Sequence, residues 1–133
     1  MAVHPYKKDL QEIWKSFKRM FRKSRLIRWT SLVSILLLVG TWFLPLWRIL
    51  PLAQESPFIA LHYNIYLGVD RFGPVWHIFF IPALGTLFLL INLFIEARSY
   101  RQQKVLSFFF TAATPLLQLI LFMAMVLIVL INL

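Results

Sequence analysis

The stretch WTSLVSILLLVGTWFLPLW, residues 29–47, decides how the rest of the chain is read. It holds no Asp, Glu, Lys or Arg, and a tryptophan stands at each end. About 20 helical residues cross the roughly 30 Å hydrocarbon core of a bilayer, and indole rings favour its two interfaces. The run therefore predicts a membrane span. Residues 75–95 and 105–131 repeat the pattern, again without a charged residue, and Trp76 and Tyr100 stand near their ends. The third run is longer than a crossing needs, so it is expected to tilt, protrude or kink at Pro115; Pro82 offers the second a similar kink.

Composition agrees with a membrane protein. The chain of 133 residues is 60% hydrophobic, 17% aromatic and only 14% charged, where soluble domains carry about a quarter charged residues. Cysteine is absent, which removes disulfides, thiolate nucleophiles and cysteine-based zinc sites together.

The distribution of charge orients the spans. Nine of the 14 Lys and Arg residues precede residue 29, against two acids, Asp9 and Glu12. The link between the second and third runs carries Arg98, Arg101 and Lys104; the link between the first and second carries Arg48 and Arg71. Basic short loops stay cytoplasmic. The expected topology is a multi-pass protein of the inner (plasma) membrane, with the N-terminus inside and both residues 48–73 and the C-terminus outside. The first run lies behind too long a basic segment to resemble a cleavable signal, and Pro51-Leu52-Ala53 is a poor cleavage site, so it is expected to remain as an anchor.

Residues 1–28 read as a cytoplasmic, basic, amphipathic helix, distinct from the transmembrane domain of residues 29–133. Tyr6, Leu10, Ile13, Trp14, Phe17, Met20, Phe21 and Ile27 recur at helical spacings, while Lys7, Lys8, Lys15, Lys18, Arg19, Arg22 and Lys23 occupy other positions. Trp14 and Phe17 would sink to headgroup depth and the cations would face anionic lipid headgroups. Nucleic acid is not the expected partner, because a span follows directly.

Weak polar stripes mark the spans. Ser107, Thr111, Thr114 and Gln118 stack on one face of the third, with Ser34 and Thr41 in the first and Pro82, Gly85 and Asn92 in the second. Such faces meet other helices, which predicts a three-helix bundle. No ionisable residue lies deep in any of the three runs, which argues against a proton or ion pathway.

In the outer link, Leu61, Tyr63, Ile65, Leu67 and Val69 alternate with His62, Asn64, Tyr66 and Gly68. The period predicts one half-buried extended strand, its apolar side over the bundle and His62, Asn64 and Tyr66 turned away. Asp70 is placed to cap the next helix and Pro74 to open its first turn. Glu55, His62, Asp70 and His77 are potential metal ligands, but their spacing matches no compact zinc pattern. There is no nucleophile elbow, phosphate-cradling loop or carboxylate pair, so neither catalytic residues nor a cofactor or metal is expected.

His62-Tyr63-Asn64, Gly68 and Asp70-Arg71-Phe72-Gly73 resemble the outer-loop signature of a small bacterial integral-membrane module of unknown function, found also in sporulation-delay toxin immunity-type proteins. Pro74 stands where that module often has lysine. The resemblance implies a small bacterial membrane protein with His62, Asn64, Gly68 and Asp70 as its marked positions. The expected fold is an all-α membrane protein: three transmembrane helices, a basic interfacial helix before them and a short extended outer loop. The expected role is a structural or accessory interaction subunit of the bacterial envelope. It would meet another membrane protein, or a second copy, through His62, Tyr63, Asn64, Gly68, Asp70 and Arg71. The alternative is a component of a transport or toxin-immunity system.

Overall fold

In the computed structural model, the described residues are 5–54, 57–100 and 102–133, with side chains from Gln11 onward. The side chains of Tyr6, Lys7, Lys8 and Leu10, and all of Glu55 and Arg101, lie outside that description. Helix α1, Pro5–Lys23, stops at Ser24, whose extended backbone (φ −107°, ψ 114°) turns the chain. The Ser24 hydroxyl accepts the Ile27 N–H at 3.3 Å and so caps the next helix. The amphipathic helix is thus shorter than residues 1–28, and Ile27 belongs to the following element.

That element, α2, runs as Arg25–Leu44, a π turn at Pro45–Ile49 and a last turn at Leu50–Leu52. Pro45 has no N–H to give the Thr41 carbonyl four residues back, and the following turn is wide, the Leu50 N–H closing on the Pro45 carbonyl five residues back. The helix therefore continues beyond residue 47. Strands β1, Phe58–Asn64, and β2, Gly68–Pro74, form an antiparallel hairpin. A 3-10 turn, Val75–Phe79, leads into α3, Phe80–Ser99, and α4 occupies Lys104–Leu130. Pro82 lies in the first turn of α3, where a missing N–H disrupts little. Pro115 lies inside an uninterrupted α4.

Three helical stretches, Arg25–Leu52, Val75–Ser99 and Lys104–Leu130, are long and apolar enough to cross a membrane. The hairpin corrects the all-α expectation: the protein is mostly helical with a small two-stranded sheet.

The predicted polar faces are the packed ones. Ser107, Thr111, Thr114, Gln118, Met125 and Val129 of α4 are buried, as are Ile27, Ser31, Ser34 and Thr41 of α2 and Pro82, Gly85, Leu89 and Glu96 of α3. Spacings of three, four and seven keep each buried set on one face of its helix. Helix α4 lies against both α2 and α3. The outward faces carry Leu36, Leu90, Phe94, Leu116 and Ile120, all exposed. Hydroxyls and amides inside with an apolar surface outside is an arrangement suited to hydrocarbon surroundings. There, small residues allow close approach and each interhelical hydrogen bond contributes roughly 0.6–2 kcal/mol. Such bonds among the described residues join Gln118 Nε2 to the Gly85 carbonyl at 2.7 Å, Asn92 Nδ2 to Thr114 Oγ1 at 3.1 Å, Trp42 Nε1 to Thr86 Oγ1 at 3.1 Å and the Ser107 hydroxyl to the Glu96 carbonyl at 3.3 Å, the first-named group donating in each.

The two ends of the bundle are closed differently. At one, Ile49, Ile59, Val75, Ile78, Met125 and Val129 form an apolar cluster beneath the hairpin. At the other, α1 packs on α3 and on the start of α2, burying Ser16 and Met20. Trp14 remains 57% exposed and stacks on Phe17.

Candidate functional site

The hairpin gathers the signature residues of the link between the first and second spans, and His62, Asn64, Gly68, Asp70 and Gly73 each have a structural task there. His62 Nδ1 and Asp70 Oδ1 meet across the strands at 2.7 Å. Asn64 Oδ1 accepts the Tyr66 N–H at 2.9 Å, the side-chain turn that asparagine forms two residues along. Gly68 has φ +73°, a conformation that glycine adopts without penalty, and opens β2. The register shifts on either side of His62, so the ladder bulges where His62 opposes Arg71.

The single strand expected over residues 61–69 is therefore folded in two. Residues 65–67 form the turn, and their side chains stand in the open: Ile65, Tyr66 and Leu67 are 80%, 91% and 75% exposed. Tyr63 and Phe72 are also exposed. The cover over the bundle comes from Ile59, Ala60 and Gly73, which are buried, rather than from the alternating set. Asp70 does not cap α3, because its carboxylate is held by His62; the residue preceding the 3-10 turn is Pro74, still extended at ψ 146°. A Cβ at Gly73 would fall on the Leu61 side chain and 3.0 Å from His77 Nδ1, so this glycine permits the hairpin to sit down on the helix entry.

One side chain fixes the hairpin to the bundle. Beyond the end of α4, Asn132 Oδ1 accepts the Ala60 N–H at 2.8 Å, and Asn132 Nδ2 donates to the Ala60 carbonyl at 2.7 Å and to the Ile128 carbonyl at 2.8 Å. The amide imitates a neighbouring strand at the edge of β1. Rigid attachment and an apolar tip together make a presented element. Among the described residues no three His, Cys, Asp or Glu side chains cluster as metal ligands.

A second polar site lies within the bundle. Glu96 is only 2% exposed, faces the hydroxyls of Thr111 and Thr114, and makes no ion pair with a described residue. The Ser107 hydroxyl donates to its backbone carbonyl at 3.3 Å. Glu96 Oε2 and Gln118 Oε1 are buried without hydrogen-bond partners. Sequence reading missed Glu96 because the span was ended at the last apolar residue, Ile95. The signal was present: residues 85, 89, 92 and 96 keep spacings of four, three and four, so Glu96 extends the face of Gly85 and Asn92 by one turn. The ionisable group judged absent from the spans stands in this helix, near its C-terminal end.

The basic residues of α1 that are described stand as follows. Lys18 lies over the Trp14 ring at 5.0 Å, Lys15 is 3.9 Å from Glu12, and Arg22 is exposed. Arg19 and Lys23 share a pocket with Tyr100 and Lys104. No protein family model, curated protein or solved structure matches the chain.

Proposed function

We propose that this is a small multi-pass subunit of a bacterial inner membrane that docks another membrane protein through the tip of its outer hairpin. The N-terminus and α1 lie on the cytoplasmic side, and the hairpin and C-terminus outside. The observation that carries the reading is the tip itself: three consecutive apolar side chains held in the open at 75–91% exposure on a hairpin pinned to the bundle. Exposed aromatic and aliphatic clusters of this kind serve contacts, where tyrosine contributes area at small entropic cost. No catalytic role is proposed.

A photoreactive residue in place of Tyr66 tests this directly. Irradiation in cells is expected to give one discrete protein adduct, while the same residue at Phe109, on an outward apolar face near the other end, gives none. A homodimer-sized adduct would assign the tip to a second copy; no adduct from positions 65–67 would sink the reading. Orientation is tested separately by cysteine labelling, with residue 66 expected to react from outside and residue 103 to be protected.

Glu96 favours a second reading, a component of a transport or toxin-immunity system, because a carboxyl buried in a spanning helix marks ion or proton pathways in many transporters. Glu96→Gln separates the two. It should leave hairpin crosslinking unchanged under the docking reading and abolish phenotype under the transport reading.

A further inference from the structure

The end of the bundle opposite the hairpin gathers cations that have no ion-pair partner among the described residues. Arg19 and Lys23 are four apart on α1 and so rise from one face. Tyr100 follows α3, and Lys104 is the first residue of α4. These four residues line a pocket of about 230 Å³; among the described residues none of its lining carries a carboxylate and none of its three cations is ion-paired. Three like charges around one cavity repel unless an anion joins them.

The backbone adds to the same field. Gln103 provides no side-chain cap to α4, and no acid lies in its first turn, so free N–H groups and the positive end of the helix dipole accompany Lys104. Helix starts of this kind accept phosphate. Lys104 also borders a larger groove of about 630 Å³, continued by Val105, Leu106 and Phe109, all exposed and apolar. The cationic pocket is smaller than the roughly 300–1,000 Å³ of sites that enclose a whole drug-sized ligand. It is sized for a head whose tails lie elsewhere, and the groove begins at the lysine they would pass.

We infer that Arg19, Lys23, Tyr100 and Lys104 form a site for the phosphate of an anionic phospholipid, with an acyl chain along Val105, Leu106 and Phe109. The cations neutralise the phosphodiester, the Tyr100 hydroxyl donates to one of its oxygens, and the lipid joins α1 to the start of α4. This rests on the reading that these helices cross a membrane with this end at the headgroup layer. It does not rest on which side of the membrane that layer belongs to.

The test uses the full-length protein in neutral detergent, titrated with short-chain phosphatidylglycerol, phosphatidylcholine and inorganic phosphate while bound lipid is counted by native mass spectrometry. Arg19→Gln/Lys23→Gln/Lys104→Gln is compared with Lys15→Gln/Lys18→Gln/Arg22→Gln, which removes equal charge outside the pocket. The first triple variant is expected to lose on the order of 100-fold in phosphatidylglycerol affinity, and the second under about 5-fold. Tyr100→Phe, which keeps the ring and its packing, is expected to lose about 5-fold. Equal losses in the two triples would reduce the site to diffuse attraction and overturn the proposal. Inorganic phosphate displacing the lipid at equal concentration would assign the pocket to soluble phosphate and overturn the lipid. A reversed cysteine-labelling pattern would move the site to the other leaflet but leave these affinities in place, so topology and binding fail separately.

Discussion

The hairpin and the opposite end of the bundle solve the same problem, closing a group of helices, in contrary ways. At the hairpin, His62 has Asp70, Asn64 has the Tyr66 amide, and Asn132 has both backbone groups of Ala60. At the other end Arg19, Lys23 and Lys104 surround a cavity with no partner among the described residues. A polar group that is satisfied internally fixes shape; one left open to its surroundings fixes what the protein will hold. The marked residues of the outer link belong to the first kind. What they hold in position is the exposed apolar tip, the surface on which the docking proposal rests.

Substitutions should separate the ends in proportion to internal pairing. The largest effect is expected from Asn132→Leu, which strips partners from the Ala60 N–H and carbonyl under a buried strand edge. At about 1–3 kcal/mol for each of the two buried groups left unsatisfied, the hairpin anchorage should weaken by roughly 2–6 kcal/mol. Hydrogen exchange would show it as faster exchange across Phe58–Asn64 with the helices unchanged; unaltered protection there would break the claim that one side chain pins the hairpin.

Gly68→Ala comes next, at about 1–2 kcal/mol, because alanine at φ +73° is strained although space is open around it. The same exchange experiment reads it, with the loss confined to the turn. His62→Ala should cost less, about 0.2–1 kcal/mol, since the pair with Asp70 is largely solvated. Crosslinking from position 66 should survive it; loss of the adduct with a protected hairpin would give His62 a direct part in docking and sharpen the distinction between shape and contact. Smallest of all, Lys23→Ala should leave thermal stability in neutral detergent unchanged or slightly raised, because one of three repelling charges is removed. A fall of several degrees would show that this end, too, is closed by internal pairing.

The helices were legible because a bilayer imposes length and because packed faces repeat at three and four. Ser107, Thr111, Thr114 and Gln118 were predicted to face other helices and do. The hairpin was misread for a physical reason. Its turn is apolar, so the alternation of Leu61 to Val69 passes through residues 65–67 without the usual polar punctuation. Asn64 and Gly68, four apart, were the two turn-formers that remained visible. The Asp70 cap failed because a carboxylate near a helix entry has competitors across a strand, and His62 is closer in space than the helix amides are in sequence. The cationic pocket was beyond sequence reading altogether, since nothing in Arg19, Lys23, Tyr100 and Lys104 as a string says that α1 turns back at Ser24 to bring them together.

Asn132 and Ala60 are 72 positions apart, with two spanning-length helices between them. At roughly 5–20 residues per second of synthesis, the hairpin strands precede their latch by about 4–14 s, and Ala60 stays unclamped until α4 and Asn132 have been made. Closure of the hairpin onto the bundle is thus ordered in time after synthesis of α4. A chain synthesised only as far as β2 has the hairpin without its latch, and the clamp on Ala60 forms only once α4 and Asn132 have followed.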